Sequence, residues 1–245
     1  MSTSKASQDS MRPLKCIKVM SFDVVGTLID FERGMLEYMR RSVPGAAVTD
    51  EAFLEAYRKS RSRDDAGAYP DDLVNSWRHV AEEVGLPCTK ELAEGFRNSC
   101  REWPAFADSA EALWRLRRHF KLVGMTNTRR WAVGYFEQTL GQPFDDMVTS
   151  DDALCDKPDP QFFAFTRGRL STRGFTLADT MHVAQSQFHD IGVARRLGYT
   201  VCWIERRYNQ PGFGGTKAVT QMTRPDYHFH TLAELADAVD RAFNE

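Results

Sequence analysis

The stretch SFDVVGTLID, residues 21–30, decides how the rest of the chain is read. An apolar run, KCIKVMSF (15–22), leads into it, and a Gly-Thr turn follows Asp23 within a few residues. The run predicts a strand, and the turn predicts that the strand stops there. Asp23 then stands at a strand's carboxyl end, where open α/β sheets bind their ligands.

The flanking sequence completes that picture. Residues 34–103 show helical spacing only: FLEAYRKS, DDLVNSWRHVAEEVG and KELAEGFRNSCREW each repeat apolar residues three or four apart. Gly85 and Pro87 predict a helix stop. DSAEALWRLRRHF (108–120) opens with Asp108 and Glu111 at capping-box spacing, then sets Leu113, Leu116 and Phe120 on one face. Strands and helices alternate from there on. KLVGMTN, FDDMVTS, DTMHVAQS, TVCWIER and PDYHFH read as strands. RRWAVGYFEQTLG, DPQFFAFTRGRL, DIGVARRLG and TLAELADAVDRAF read as helices, with Pro160 in a first turn and Thr231 starting the last. Alternation of this kind predicts an α/β fold with a doubly wound parallel, Rossmann-like sheet. The expected organisation is a disordered tail (1–14), an α/β core (15–33 and 104–245) and an inserted helical cap (34–103).

Composition narrows the class. The chain is 42% apolar and 27% charged, as soluble globular proteins are. A formal net charge of -2, with no block of like charges, gives no basis for a nucleic-acid partner. No apolar run approaches the ~20 residues of a bilayer span, so no membrane partner is expected. The N-terminal MSTSKASQDSMRPLK carries no apolar signal segment. Five widely spaced cysteines without a C-x-x-C predict free thiols in a reducing compartment, hence a cytoplasmic protein. PGFGGT (211–216) lacks the strand-to-helix setting of a phosphate loop and reads as a flexible loop. His228 and His230 share a strand face, but the sequence offers no third metal ligand beside them. Trp77, Trp103, Trp114 and Trp131 read as packing residues.

The chemistry gathers at the strand ends. The first gives Asp23 with Gly26 and Thr27, and the second gives Thr126 and Asn127. Lys157-Pro158 follows the third, and Gln185, Ser186 and Asp190 follow the fourth. Taken alone, Asp190 is an ordinary helix N-cap and Lys157 a solvated lysine. Their order and shared edge are the signal: a carboxylate, a hydroxyl with an amide, an ammonium and a second carboxylate facing one crevice.

F-D-V-V-G-T-L (22–28), T-N (126–127), K-P (157–158) and V-A-Q-S-Q-F-H-D (183–190) together resemble the motifs of the haloacid dehalogenase (HAD) superfamily of hydrolases. The helical block is similar to that superfamily's cap. Phosphatases of the superfamily carry D-x-D in the first motif, the first Asp attacking phosphorus and the second protonating the leaving oxygen. Here the second position is Val25. Their last motif, V-G-D-S-x-x-x-D, holds Mg²⁺ with acids, and Gln185 replaces the first of them here. A hard dication wants carboxylate oxygens. Both departures point to the metal-free 2-haloacid dehalogenase branch, with no cofactor and no metal.

That resemblance implies Asp23 as a nucleophile displacing halide from C2, and then water hydrolysing the aspartyl ester to a 2-hydroxy acid. Lys157 would keep Asp23 ionised. Thr27, Thr126 and Ser186 would hold it by hydrogen bonds, and Asp190 would place or activate the water. Asn127 would contact the substrate or the halide. Arg58, on the first clear cap helix, would bind the substrate's carboxylate, with Arg61 one turn on as the alternative. Val25 and Phe163 stand where the dehalogenases usually carry tyrosines, and with Gln185 and His189 they are expected at the substrate. The implied partner is a small carboxylate, and a homodimer is common in the branch. Two rival readings stay open: another HAD-type hydrolase of a small substrate, including an Mg-dependent phosphatase, and an idle binding member, against which Asp23 and Lys157 both argue.

Overall fold

The computed structural model describes residues 11–63 and 65–245. The chain enters through a 3₁₀ turn, Leu14–Cys16, and only then forms β1 (Val19–Phe22), so the first strand is shorter than its apolar run. Residues 1–10 of the expected tail lie outside the described residues. The rest of it is attached: Leu14 is buried, and the Tyr227 hydroxyl donates to the Arg12 carbonyl at 2.6 Å.

Four helices follow β1: α1 (Phe31–Ser42), α2 (Asp50–Ser60), α3 (Leu73–Val84) and α4 (Lys90–Ser99). Thr49 and Thr89 cap α2 and α4 by accepting from the backbone N–H three residues on, and left-handed Gly85 closes α3. The helices share an aromatic core. Phe96 meets Trp77 at 5.2 Å and Phe53 at 6.1 Å between ring centroids, and all three are fully buried. Gly34 lets α1 approach Trp103, whose ring a Cβ at that position would strike. Trp77 and Trp103 thus pack as expected, but Trp114 is 67% exposed with the Arg118 guanidinium over its ring.

The core then alternates: α5 (Ser109–Leu116), β2 (Lys121–Thr126), α6 (Arg130–Thr139), β3 (Asp146–Thr149), α7 (Ser150–Ala153), α8 (Pro160–Ser171), β4 (Thr180–Ala184), a π turn (Gln187–Ile191), α9 (Gly192–Arg196), β5 (Thr200–Ile204), β6 (Tyr227–Phe229) and α10 (Leu232–Asn244). The strands form one six-stranded sheet in the order β3-β2-β1-β4-β5-β6, and every pair is parallel. β1 and β4 are buried along their whole length, as a parallel sheet covered on both faces must be. The winding order reverses between β1 and β4. The crevice outside their carboxyl ends is therefore the topological switch point, where such sheets take ligands.

One capping expectation fails instructively. Asp108 does not cap α5 with its side chain. Its carboxylate instead accepts from Arg206 at 2.8 Å and from the Leu232 N–H at 2.7 Å, tying the start of α10 to the core. Two unsatisfied helix donors and a guanidinium outcompete a local backbone N–H. All five cysteines are free thiols. No helix among the described residues is long and apolar enough to cross a membrane.

Candidate active site

The loop leaving β1 folds back at once. Gly26 N–H donates to the Ile29 carbonyl at 2.8 Å, and Leu28 N–H to that of Val24 at 2.8 Å. This tight return needs φ +94° at position 26, which glycine alone adopts without strain. It brings Thr27 back beneath Asp23. The Thr27 hydroxyl donates to Asp23 Oδ2 at 2.6 Å while accepting from the Gln185 N–H at 2.9 Å, joining the β1 and β4 loops.

Lys157 comes from the segment after α7, and its side chain is fully buried. Its ammonium donates to Asp23 Oδ1 at 2.9 Å, Asp190 Oδ1 at 2.6 Å and the Met125 carbonyl at 2.8 Å. All three protons are thereby committed, the condition under which a buried ammonium is tolerable. Asp190 Oδ1 also takes His182 Nε2 at 3.0 Å, and His182 Nδ1 lies 2.9 Å from the Ser21 hydroxyl. A carboxylate can only accept, so Nε2 carries a proton towards Asp190. Among the described residues, Asp190 Oδ2 has no hydrogen-bond partner.

The two carboxylates differ in proton affinity. Burial raises the Asp23 pKa, Lys157 opposes the rise, and the Asp190 charge adds to it. Burial pushes Asp190 up as well, but Lys157 and His182 outweigh it and bring Asp190 down to about 2. Lys157 loses to burial and gains more from Asp190 and Asp23, so it is held above its ordinary value and stays charged. Asp190 is therefore the settled anion and Asp23 the more basic carboxylate. Burial lowers His189 to about 4, leaving a neutral imidazole at neutral pH.

A cavity of about 130 Å³ opens over this floor. Asp23, Val25, Asn127, Lys157, Gln185, Ser186, His189 and Asp190 line it from the core. Tyr57, Arg61 and Tyr69 line it from the helical block, and Gly215, Thr216 and Lys217 from the loop after β5.

Several expected residues sit elsewhere or act otherwise. The Arg58 guanidinium is outside the cavity lining and donates to the Gly214 carbonyl at 2.6 Å, because its face of α2 meets the loop. Arg61 faces the cavity instead, ion-paired with buried Asp72 and 5.4 Å from the Tyr69 ring centroid. Phe163 is buried behind the site, packed on His182 and Tyr199, and does not line the cavity. Thr126 bonds Thr128, and Ser186 bonds His189; neither hydroxyl reaches Asp23. The Asn127 amide is engaged at both ends by the Lys157 backbone, at 2.7 and 2.8 Å, so it fixes the lysine's main chain.

The PGFGGT stretch is tied down, contrary to the expected flexible loop. Glu32 accepts from the Gly215 N–H at 2.8 Å, and the Thr216 hydroxyl lies 3.3 Å from Gln185 Oε1. A Cβ at Gly215 would come within 2.8 Å of Phe31, so glycine serves close approach here. Sequence reasoning missed Tyr57, Tyr69, Lys217 and His182. Only His182 left a trace, as an imidazole inside an apolar strand.

The Mg²⁺ of the superfamily's phosphatases does not fit these residues. The oxygens of Asp23 and Asp190 already receive an ammonium, a hydroxyl and an imidazole, and only Asp190 Oδ2 lacks a donor. Positions 25 and 185 offer a hydrocarbon and a neutral amide, neither of them a carboxylate oxygen for a hard dication.

A Rossmann-like sheet with inserted helices and a lysine-bridged pair of carboxylates at its switch point defines a class of hydrolases. The chain belongs to the haloacid dehalogenase-like hydrolase family, whose sequence profile matches residues 17–198. An (S)-2-haloacid dehalogenase of Pseudomonas putida is 22% identical over 205 residues, spanning 79% of this chain and 87% of that one. The structure of the L-2-haloacid dehalogenase from Xanthobacter autotrophicus is similar with a TM-score of 0.69 at 21% identity, over 91% of this chain and 98% of that one. Its form with chloropropionic acid covalently bound gives the same TM-score of 0.69. A HAD-hydrolase from Bacillus subtilis, bound to magnesium, is similar with a TM-score of 0.72 at 18% identity, over 91% and 99% of the two chains. At these identities the structures share the fold.

Proposed function

We propose that this hydrolase removes halide from small 2-haloacids through an ester on Asp23, without a metal. One observation carries the reading: Asp23 is a buried carboxylate held by Lys157 and Thr27, while the neighbouring position that would protonate a leaving oxygen is Val25. A phosphate ester leaves as an alkoxide and wants that proton. Halide leaves as a stable anion and needs none.

In the first step an Asp23 oxygen attacks C2 in line, the C–O bond forms, and the carbon–halogen pair departs with the halide, inverting C2. Arg61 and Lys217 supply positive charge for the substrate's carboxylate, and the Tyr69 hydroxyl supplies a donor. In the second step water adds to the Asp23 carbonyl carbon. Lys157 or Thr27 donates to the oxygen that becomes negative there, the usual source of a large rate gain in acyl transfer. The ester C–O bond then breaks, the product oxygen takes a proton, and a 2-hydroxy acid leaves. Asp190 Oδ2 orients the water. With a pKa near 2 Asp190 is a poor base, so neutral His189 is the better proton acceptor. The P. putida and X. autotrophicus enzymes, dehalogenases by name, support the same substrate class.

Halide release from each enantiomer of 2-chloropropionate, with EDTA or with Mg²⁺, tests this against phosphate release from an aryl phosphate. Halide release that survives EDTA is the expected result. In ¹⁸O water, repeated turnover should place label in the Asp23 carboxylate. Mg²⁺-dependent phosphate release with no halide would overturn the reading.

A further inference from the structure

A second polar cluster lies at the far edge of the sheet. β5 and β6 pair in a parallel register that sets Trp203 beside His228 and Ile204 beside Phe229. One residue on, Glu205 comes beside His230. Alternate side chains of a strand share a face, so Glu205, His228 and His230 project from the same side, and Ile204 turns into the core. The sequence showed two histidines without a third ligand, and the register supplies it.

The three are close and held. Their ligand atoms all lie within 4.8 Å of one another. His228 Nε2 is 2.8 Å from Glu205 Oε2. His228 stacks on Trp203 with ring centroids 4.4 Å apart, and His230 stacks on Tyr208 at 3.5 Å. The two imidazoles meet edge to face at 5.5 Å. The Glu205 backbone is fixed from both sides, its N–H to the Phe229 carbonyl at 2.8 Å and its carbonyl from the Tyr208 N–H at 2.9 Å. His228 is exposed and the other two half-buried, so an ion can enter from solvent.

We propose that Glu205, His228 and His230 form a binding site for a divalent transition metal of the Zn²⁺ type, with water completing the shell. Two imidazole nitrogens and one carboxylate suit borderline ions such as Zn²⁺, Co²⁺ and Ni²⁺, and disfavour Mg²⁺ and Ca²⁺, which take oxygens. Metal–ligand distances of about 2.0–2.2 Å require the three atoms to gather around one point. The spacing seen here needs only side-chain rotation on a fixed strand pair. The site stands apart from the Asp23 pocket and does not depend on the reaction proposed there. A link to it exists, because the Trp203 indole N–H donates to the Gln185 carbonyl at 2.9 Å. Trp203 is thus a built-in reporter for occupancy.

The test uses the full chain, stripped with a chelator and titrated with Zn²⁺ by calorimetry and with Co²⁺ by absorption and tryptophan fluorescence. One Zn²⁺ per chain is expected, with Co²⁺ quenching part of the fluorescence and Trp203→Phe removing that part. His228→Ala, His230→Ala and Glu205→Gln should each weaken Zn²⁺ binding at least ~10-fold, the lower end of what even outer-shell changes cost a metal site. Unchanged circular dichroism and melting would show that the variants fold. Binding by the His228→Ala/His230→Ala double variant as tight as wild type would overturn the proposal and leave an adventitious ion only. Absence of Zn²⁺ binding to the wild-type chain would overturn it too, reducing the cluster to a histidine–glutamate hydrogen bond.

Discussion

Lys157 meets the pocket from below with every ammonium proton committed, whereas Tyr69 meets it from above with a buried hydroxyl that has no partner among the described residues. Apart from Asp190 Oδ2, the floor is internally satisfied. Its carboxylates, ammonium, imidazole and hydroxyl satisfy one another at 2.6–3.0 Å inside a sheet that holds their backbones in register. The roof is made of helix and loop side chains whose polar groups are partly unspent. Preorganised groups lower a barrier because they need no rearrangement at the moment of reaction. Unspent groups give binding, since a ligand satisfies donors that are otherwise buried at a cost. Damage to the floor should therefore appear in kcat and in stability, and damage to the roof in KM.

The largest effects belong to the floor. Asp23→Asn should reduce dehalogenation below detection, and mass spectrometry should find no ester; steady turnover without deamidation would remove Asp23 from the role. Lys157→Ala should lower kcat roughly 10²–10³-fold, the scale of losing one preorganised donor to a developing oxyanion. It also leaves Asp23 and Asp190 facing each other in a buried site, and removing one member of a buried ion pair destabilises by about 3–5 kcal/mol. A drop in Tm must accompany the kinetic loss. A loss under tenfold with an unchanged Tm would contradict the described geometry.

The same floor sets an acid limit. In the proposed mechanism Asp23 attacks as the ionised carboxylate, and burial raises its pKa above the ordinary value. Activity should fall about tenfold per pH unit once the pH drops below that raised value. Asp190 runs the other way: its folded pKa is depressed to about 2, so the stability it contributes is present above the unfolded value near ~3.9 and is lost as pH falls toward 2. Dehalogenation should thus fade on the acid side while circular dichroism still reports a native fold. Loss of both together would mean that unfolding sets the limit.

At the roof, the two arginines separate. Arg61→Ala should reduce kcat/KM about 10–100-fold, mainly through KM, the range for a hydrogen bond to a charged group. Because Arg61 also neutralises buried Asp72, its loss lowers Tm as well. Only the KM change distinguishes a substrate contact from scaffolding. Arg58→Ala, which frees the Gly214 carbonyl, should leave kcat/KM within a few-fold of wild type. The reverse ranking would return the substrate contact to Arg58.

Most of the floor is legible in the sequence and most of the roof is not, with His182 as the floor's exception. Asp23, Thr27, Lys157 and Asp190 follow strands or the short segments after them. A parallel sheet puts all such ends on one edge, so strand order and motif spacing suffice to gather them. Helix rotation is not so constrained. Arg58 and Arg61 differ by less than one turn, and the choice between them depends on how α2 lies against a loop more than 150 residues away, whose Gly214 takes Arg58. Tyr69 and Lys217 sit in connections with no periodicity to read. Phe163 departs from its expected place for a related reason: α8 presents it to His182 and Tyr199 behind the sheet edge. Asp108 shows the opposite trap, a local capping pattern overruled by Arg206 and the start of α10, which tertiary structure brings to it.

The smallest effect is the sharpest test of the roof. Tyr69 is buried among Arg61 and the pocket walls, and burial holds its phenol well above the ordinary pKa, so it is a donor at any working pH. Tyr69→Phe removes one oxygen that bonds no other group among the described residues. Stability should therefore stay level or rise, because an unsatisfied buried hydroxyl is a penalty removed. If the hydroxyl donates to bound substrate, KM should rise about 3–10-fold, the worth of a single neutral hydrogen bond, with kcat little changed. A fall in kcat instead would place the hydroxyl at the departing halide. An unchanged kcat/KM with a higher Tm would make Tyr69 a wall of the cavity and leave recognition of the carboxylate to Arg61 and Lys217.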